Sequence, residues 1–169
     1  PHLRLKEMDR DGVDAEVIYG ILGSASKMQD PEAANEVFRI YNDWLKDFCS
    51  HYPDRQIGLA CLPYGDIDAA VAEVHRTAKM GLRGLELSCS WDMSPMWHPD
   101  WEPMWEAINE VNLPLHFHTF PTTSPVAREL APGTAQRAAM FTGVTAFQMG
   151  LVHIMAGMIG AGVLERYPN

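Results

Sequence analysis

The sequence predicts an α/β fold with a parallel sheet, a partial (β/α)8 TIM-type barrel with about half of the barrel present. A unit of amphipathic helix, short turn and short apolar strand recurs four times along the 169 residues. The strands are near-continuously apolar, as parallel strands covered on both faces are. They recur at intervals of roughly 27–42 residues, near the ~30 or more that a βαβ unit requires. The strand ends choose between a barrel and an open doubly wound sheet. They carry Tyr19, Tyr64, Ser88 with Cys89, and His116 with His118, and barrel chemistry gathers at such C-terminal ends. A doubly wound nucleotide binder calls for a Gly-rich turn after its first strand. The stretch "YGILGSAS", residues 19–26, offers Gly20 and Gly23 but no third glycine.

Each unit has its own signals. Leu5, Met8 and Val13 form the apolar side of the first helix, Gly12 stops it, and 15–19 reads as strand. Val37, Ile40, Tyr41, Trp44, Leu45 and Phe48 recur at helical spacing before a strand over 56–62. Gly81 closes the third helix ahead of a strand over 83–88. In the fourth unit Asp100 is the expected N-cap, Pro103 is tolerated in the first turn, and 114–119 is the strand. All helices are expected on the outer side, with Ile18, Leu59 and either Leu85 or Leu87 facing inward. The run "MGLVHIMAGMIGAGVL", residues 149–164, falls short of the roughly 20 residues that span a bilayer. It reads as a buried helix, and no membrane partner is expected.

Composition bounds the rest. With 47% hydrophobic and 21% charged residues, the chain reads as one globular domain, residues 1–169. A net charge of −9, with 13 basic residues scattered singly, argues against nucleic acid as a partner. Cys49, Cys61 and Cys89 are an odd set without metal-type spacing. A reducing, cytoplasmic compartment follows. The N-terminus has no apolar signal region. A start on Pro1 and a stop just after a helix lead us to expect an internal segment of a longer protein.

The chemistry concentrates in "NLPLHFHTF", residues 112–120. Period-2 geometry sends His116 and His118 to one face of a strand. A lone strand histidine is commonly a satisfied core residue. Two on one face at a strand end also suit a metal site or acid–base work. Thr119 and Phe120 follow directly and are placed to shape a pocket. In "SWDMSPMWHPDW", Trp91, Trp97 and His98 sit at the expected mouth. There they either stack on a planar substrate or pin the loop to the rim. His51 and His75 lie in polar helical surroundings, His153 reads as a core or interface histidine, and Asp92 as a solvated loop carboxylate.

The segments "NDWLKDFCSHYPDRQIGLACLPYGDIDAAVAEVHRTAKMGLRGLELS", "HPDWEPMWEAINEVNLPLHFH" and "GVLERYPN" together resemble the amidohydrolase-related family. That family includes the aminocarboxymuconate-semialdehyde decarboxylase-like enzymes and other metal-dependent hydrolases on a distorted (β/α)8 barrel. The resemblance covers nearly the whole chain. It rests on N-D-W before a P-x-R turn, G-x-x-G before the next strand, and a P-x-x-x-H strand. The last runs from Pro114 to His118, so the resemblance implies that His118 is a metal ligand. It places the remaining ligands outside this chain: a first-strand H-x-H pair upstream, then a histidine and an aspartate downstream.

The implied cofactor is a divalent metal, with zinc the expected ion, activating water or polarising a carboxylate or carbonyl. The implied function is metal-dependent hydrolysis, or non-oxidative decarboxylation, of a small cyclic or aromatic carboxylate-type substrate. His116, Trp91 and Thr119 are the expected substrate-binding residues. The segment alone is expected to be inactive, and a homo-oligomer fits the fold. The rival reading is a non-catalytic barrel fragment or interaction protein whose 149–164 helix pairs with a partner.

Overall fold

The computed structural model describes residues 1–21, 28–89, 93–119 and 133–169. Four strands, β1 (Glu16–Ile18), β2 (Gln56–Cys61), β3 (Gly84–Cys89) and β4 (Leu115–Thr119), pair in parallel and in chain order. Helices α1 (His2–Asp11), α2 (Pro31–Ser50), α3 (Ile67–Met80) and α4 (Glu102–Val111) each precede one strand. A long α5 (Thr134–Gly160) and a single turn, α6 (Val163–Arg166), follow. The result is a half-barrel with strands where the sequence predicts them.

Local chemistry sets the helix ends. Asp30 caps α2, its Oδ1 accepting from the N–H groups of Glu32 and Ala33, with Pro31 in the first turn. Asp66 caps α3 by accepting from Ala69 N–H. Gly12 and Gly81 end α1 and α3 with φ of 71° and 82°, the left-handed region that costs glycine nothing. The fourth helix departs from expectation. Asp100 lies inside a 3-10 turn, Pro99–Trp101, and α4 starts only at Glu102. Pro99 opens that turn, so the side-chain cap moves upstream to His98, whose ring accepts from Asp100 N–H.

Strand register sorts the side chains. Cys61 pairs with Glu86, Glu86 with His116, and Ser88 with His118. These residues and Leu59 therefore share the inner face. Ala60, Leu62, Leu85, Leu87 and Cys89 take the other face and form the main core with Leu45, Val74, Met104, Trp105 and Ile108 from α2, α3 and α4. Neither Leu85 nor Leu87 points inward: Glu86 lies between them, and its parity is that of the histidines. Ile18 also packs on the helix side, which leaves Leu59 as the inward apolar residue of those expected.

The tie between α2 and β2 is polar. Buried Asn42 brackets Cys61, its Nδ2 donating to Cys61 O at 2.9 Å and its Oδ1 accepting from Cys61 N–H at 2.8 Å. The same Nδ2 donates to Glu73 of α3 at 2.6 Å, and Arg76 closes the group on Glu73. One amide thus links helix, strand and helix.

The apolar C-terminal run forms a longer helix than its hydropathy alone suggests, starting at Thr134 and breaking at Ala161 and Gly162. Its stretch Met140–Gly160 is long and apolar enough, by length and composition, to cross a bilayer. Ile154 and Met158 are nevertheless buried in the main core. Gly157 packs flat on the Trp97 ring, where any Cβ would collide with it.

Candidate metal and substrate site

The inner face holds two layers near the C-terminal strand ends. Glu86 and His116 form the deeper layer, and Ser88 and His118 lie two residues closer to the end. Both histidines are half-buried, and Glu86 is fully buried.

Glu86 carries most of the local electrostatics. Its Oε2 accepts from the backbone N–H of Gly20 at 2.6 Å and meets the Cys61 thiol at 3.7 Å. Its Oε1 has no hydrogen-bond partner among the described residues. Burial pushes this carboxyl above the ordinary glutamate range, against the opposing pull of the Gly20 N–H and of His118 and His116. The same burial raises the Cys61 thiol, and the neighbouring Glu86 charge adds to the rise. The Gly20 backbone comes this close because it lacks a side chain: a Cβ there would run into Cys61 Sγ and the Tyr41 ring.

Tyr19 precedes that glycine and reaches across the sheet. Its hydroxyl lies 2.7 Å from His116 Nδ1, and the rings meet edge to face at 5.5 Å. Tyr41 donates from its hydroxyl to the Tyr19 carbonyl at 3.3 Å. The Nδ1 of His118 engages the Thr119 carbonyl at 3.2 Å. Donation from Nδ1 to a carbonyl is the tautomer in which Nε2 offers its lone pair to a metal.

The sequence-predicted residues fare differently. His116 and His118 come together on the inner face with Tyr19, Glu86 and Cys61. Thr119 pairs with Cys89 and has the parity of Leu115 and Phe117, so its side chain takes the helix-facing side. What it brings to His118 is its carbonyl. Trp91, Asp92 and Phe120 lie outside the described residues. Trp97 seats against Gly157 and His153, which pins its loop to α5. Among the described residues, no three His, Cys, Asp or Glu side chains converge to hold a metal. His118 stands on the inner face without two further such side chains beside it among the described residues. Sequence reasoning missed Glu86, although a lone acid inside the apolar "GLELSC" strand was the signal.

Comparison with known proteins gives the site its context. The family model described as Amidohydrolase matches residues 1–167. Gamma-resorcylate decarboxylase of Rhizobium radiobacter is 36% identical over 73 residues, which is 43% of this chain and 22% of that protein. The crystal structure of 2,6-dihydroxybenzoate decarboxylase from Rhizobium aligns with a TM-score of 0.78 at 22% identity, over 98% of this chain and 52% of that one. A 5-carboxyvanillate decarboxylase from Novosphingobium aromaticivorans, complexed with manganese and 4-hydroxy-3-methoxy-5-nitrobenzoic acid, has a TM-score of 0.78 at 25% identity. It is matched over 98% of this chain and 46% of its own. The chain thus spans about half the length of these solved proteins.

Proposed function

The chain belongs to the amidohydrolase family, and on that premise we propose that it forms half of the active-site barrel of a metal-dependent decarboxylase acting on small aromatic carboxylates. One observation carries the reading: His118 stands at the end of β4 with its Nδ1 on the Thr119 carbonyl, one layer above buried Glu86 and half-buried His116. The match to relatives named as decarboxylases of hydroxylated benzoates supports decarboxylation over hydrolysis.

In this reading His118 Nε2 is this chain's ligand to a divalent ion. Imidazole suits zinc, and the carboxyvanillate decarboxylase was solved with manganese. When bound, such an ion supplies a Lewis acid for the oxygens of the substrate. The chain's own residues bind and orient. The Thr119 carbonyl holds the His118 ring, and His116 faces the same space one layer below. Buried Glu86 of β3 holds the segment that follows β1 through the Gly20 N–H. The three free cysteines fit a reducing cytoplasm.

The test uses the full-length protein, loaded separately with zinc and with manganese, on 2,6-dihydroxybenzoate and on a small cyclic amide. Release of CO2 from the benzoate with the amide untouched is expected. Hydrolysis of the amide with no CO2 from the benzoate would overturn decarboxylation.

A further inference from the structure

We propose that Tyr19 is a positioning residue: its hydroxyl donates to His116 Nδ1 and holds His116 as the Nε2–H tautomer, a donor for the carboxylate of an aromatic acid. This rests on the decarboxylase reading for the substrate, but not for the tautomer.

The geometry supplies each step. The 2.7 Å separation between the Tyr19 hydroxyl and His116 Nδ1 is a full hydrogen bond. A neutral imidazole carries one N–H and one acceptor nitrogen, and its sp² nitrogen accepts better than a phenol oxygen does. The phenol therefore donates, and the imidazole proton sits on Nε2. Among the described residues nothing hydrogen-bonds Nε2, so this donor is left for a ligand. A carboxylate is the complementary acceptor, because a hydrogen bond to an ionised oxygen is about twice as strong as a neutral one.

The placement of Tyr19 is itself enforced. β1 is short, ending at Ile18, so Tyr19 extends beyond the strand pairing that would otherwise locate it. Two contacts replace that pairing. Gly20 N–H donates to buried Glu86, and the Tyr19 carbonyl accepts from Tyr41. Glu86 pairs with His116 in the β3–β4 register, so the carboxylate that anchors Gly20 belongs to the same layer as the ring Tyr19 must meet. This places Glu86 and the bare Gly20 backbone behind the Tyr19–His116 contact.

The experiment is Tyr19→Phe in the full-length protein carrying a diamagnetic divalent ion. The ring is kept and only the hydroxyl is lost. Two readouts are taken: steady-state kinetics on 2,6-dihydroxybenzoate, and the ring-nitrogen resonances of ¹⁵N-histidine, with His116 assigned by its loss in His116→Gln. The proposal expects KM to rise about five- to tenfold while kcat changes less than about twofold. It also expects His116 Nδ1 to move from an acceptor resonance to that of mixed tautomers. Unchanged His116 resonances overturn the proposal, and so does a changed tautomer with unchanged KM in an active enzyme. A changed tautomer in a protein that decarboxylates no hydroxybenzoate leaves the Tyr19–His116 assignment standing and sinks the decarboxylase reading instead.

Discussion

His118 and Glu86 sit one layer apart and have opposite reasons to be on the inner face. His118, the ring we propose as a metal ligand, is half-buried with its Nδ1 turned to the Thr119 carbonyl. His118→Ala in the full-length protein should remove metal and activity together, and elemental analysis of the purified variant checks this. Stoichiometric metal in that variant would sink the assignment. Glu86 is buried with one oxygen unpartnered among the described residues, so its charged form is disfavoured in the fold. The sign of the consequence is fixed by linkage. Because the folded pKa is raised, the native state holds this proton more tightly than the unfolded chain does. The stabilisation is therefore present below the ordinary value of 4.5 and is lost as pH rises through the folded pKa. Glu86→Gln should flatten that decline in urea midpoints measured as pH rises above 4.5. An unaltered slope would show that Glu86 titrates normally.

At the scale of elements, one buried amide joins a strand to two helices beside the apolar core. Asn42 is fully buried and makes three hydrogen bonds, two to Cys61 and one to Glu73. Cys61 belongs to the inner layer with Glu86, so the amide also sets where the end of β2 lies. Asn42→Ala would leave the Cys61 carbonyl and N–H buried without it. A loss of about 2–6 kcal/mol follows, at about 1–3 kcal/mol for each buried group left unpaired. Urea unfolding of the full-length variant measures this, and a loss under about 0.5 kcal/mol, the lower bound for one ordinary hydrogen bond, would show that the bracket is dispensable. The helix stops at Gly12 and Gly81 and the strand positions were legible, because caps and apolar runs are local signals. The start of α4 was not. Pro99 opens a separate turn, and the cap on it is a histidine ring.

For the whole molecule, the sheet has two free edges among the described residues, since β1 and β4 each pair with one neighbour. Among the described residues nothing forms a wall opposite the inner face, and Val17 and Tyr19 are roughly half exposed. On α5, Phe141, Val144, Val152 and Ile159 are more than half exposed. Apolar surface contributes about 25 cal/mol per Å². Leaving about 300 Å² uncovered therefore forfeits about 7 kcal/mol, comparable to the stability of a domain. Residues 1–169 expressed alone should not form a stable monomer. Sedimentation velocity at tens of micromolar, with a thermal melt, tests this. A monodisperse monomer melting cooperatively would overturn it.

The recurring units, the helix stops at Gly12 and Gly81, and the shared face of His116 and His118 were set by the sequence alone, because each depends on residues within a few positions of one another. The strand order follows from the same repetition. Parallel connections are long, and neighbours in the chain become neighbours in the sheet. Which residues meet across the strands was decided only by the tertiary structure. Leu85 and Leu87 are indistinguishable from inward-facing residues until register pairs Glu86 with His116. Tyr19 and His116 lie 97 positions apart, and no local pattern relates them. Nor does anything in "YGI" announce that Gly20 must be bare for its N–H to reach a carboxylate on the third strand. The physical reason is that backbone periodicity dictates the face a side chain takes, whereas its partner depends on the stagger between strands that only the closed packing of helices on the sheet sets.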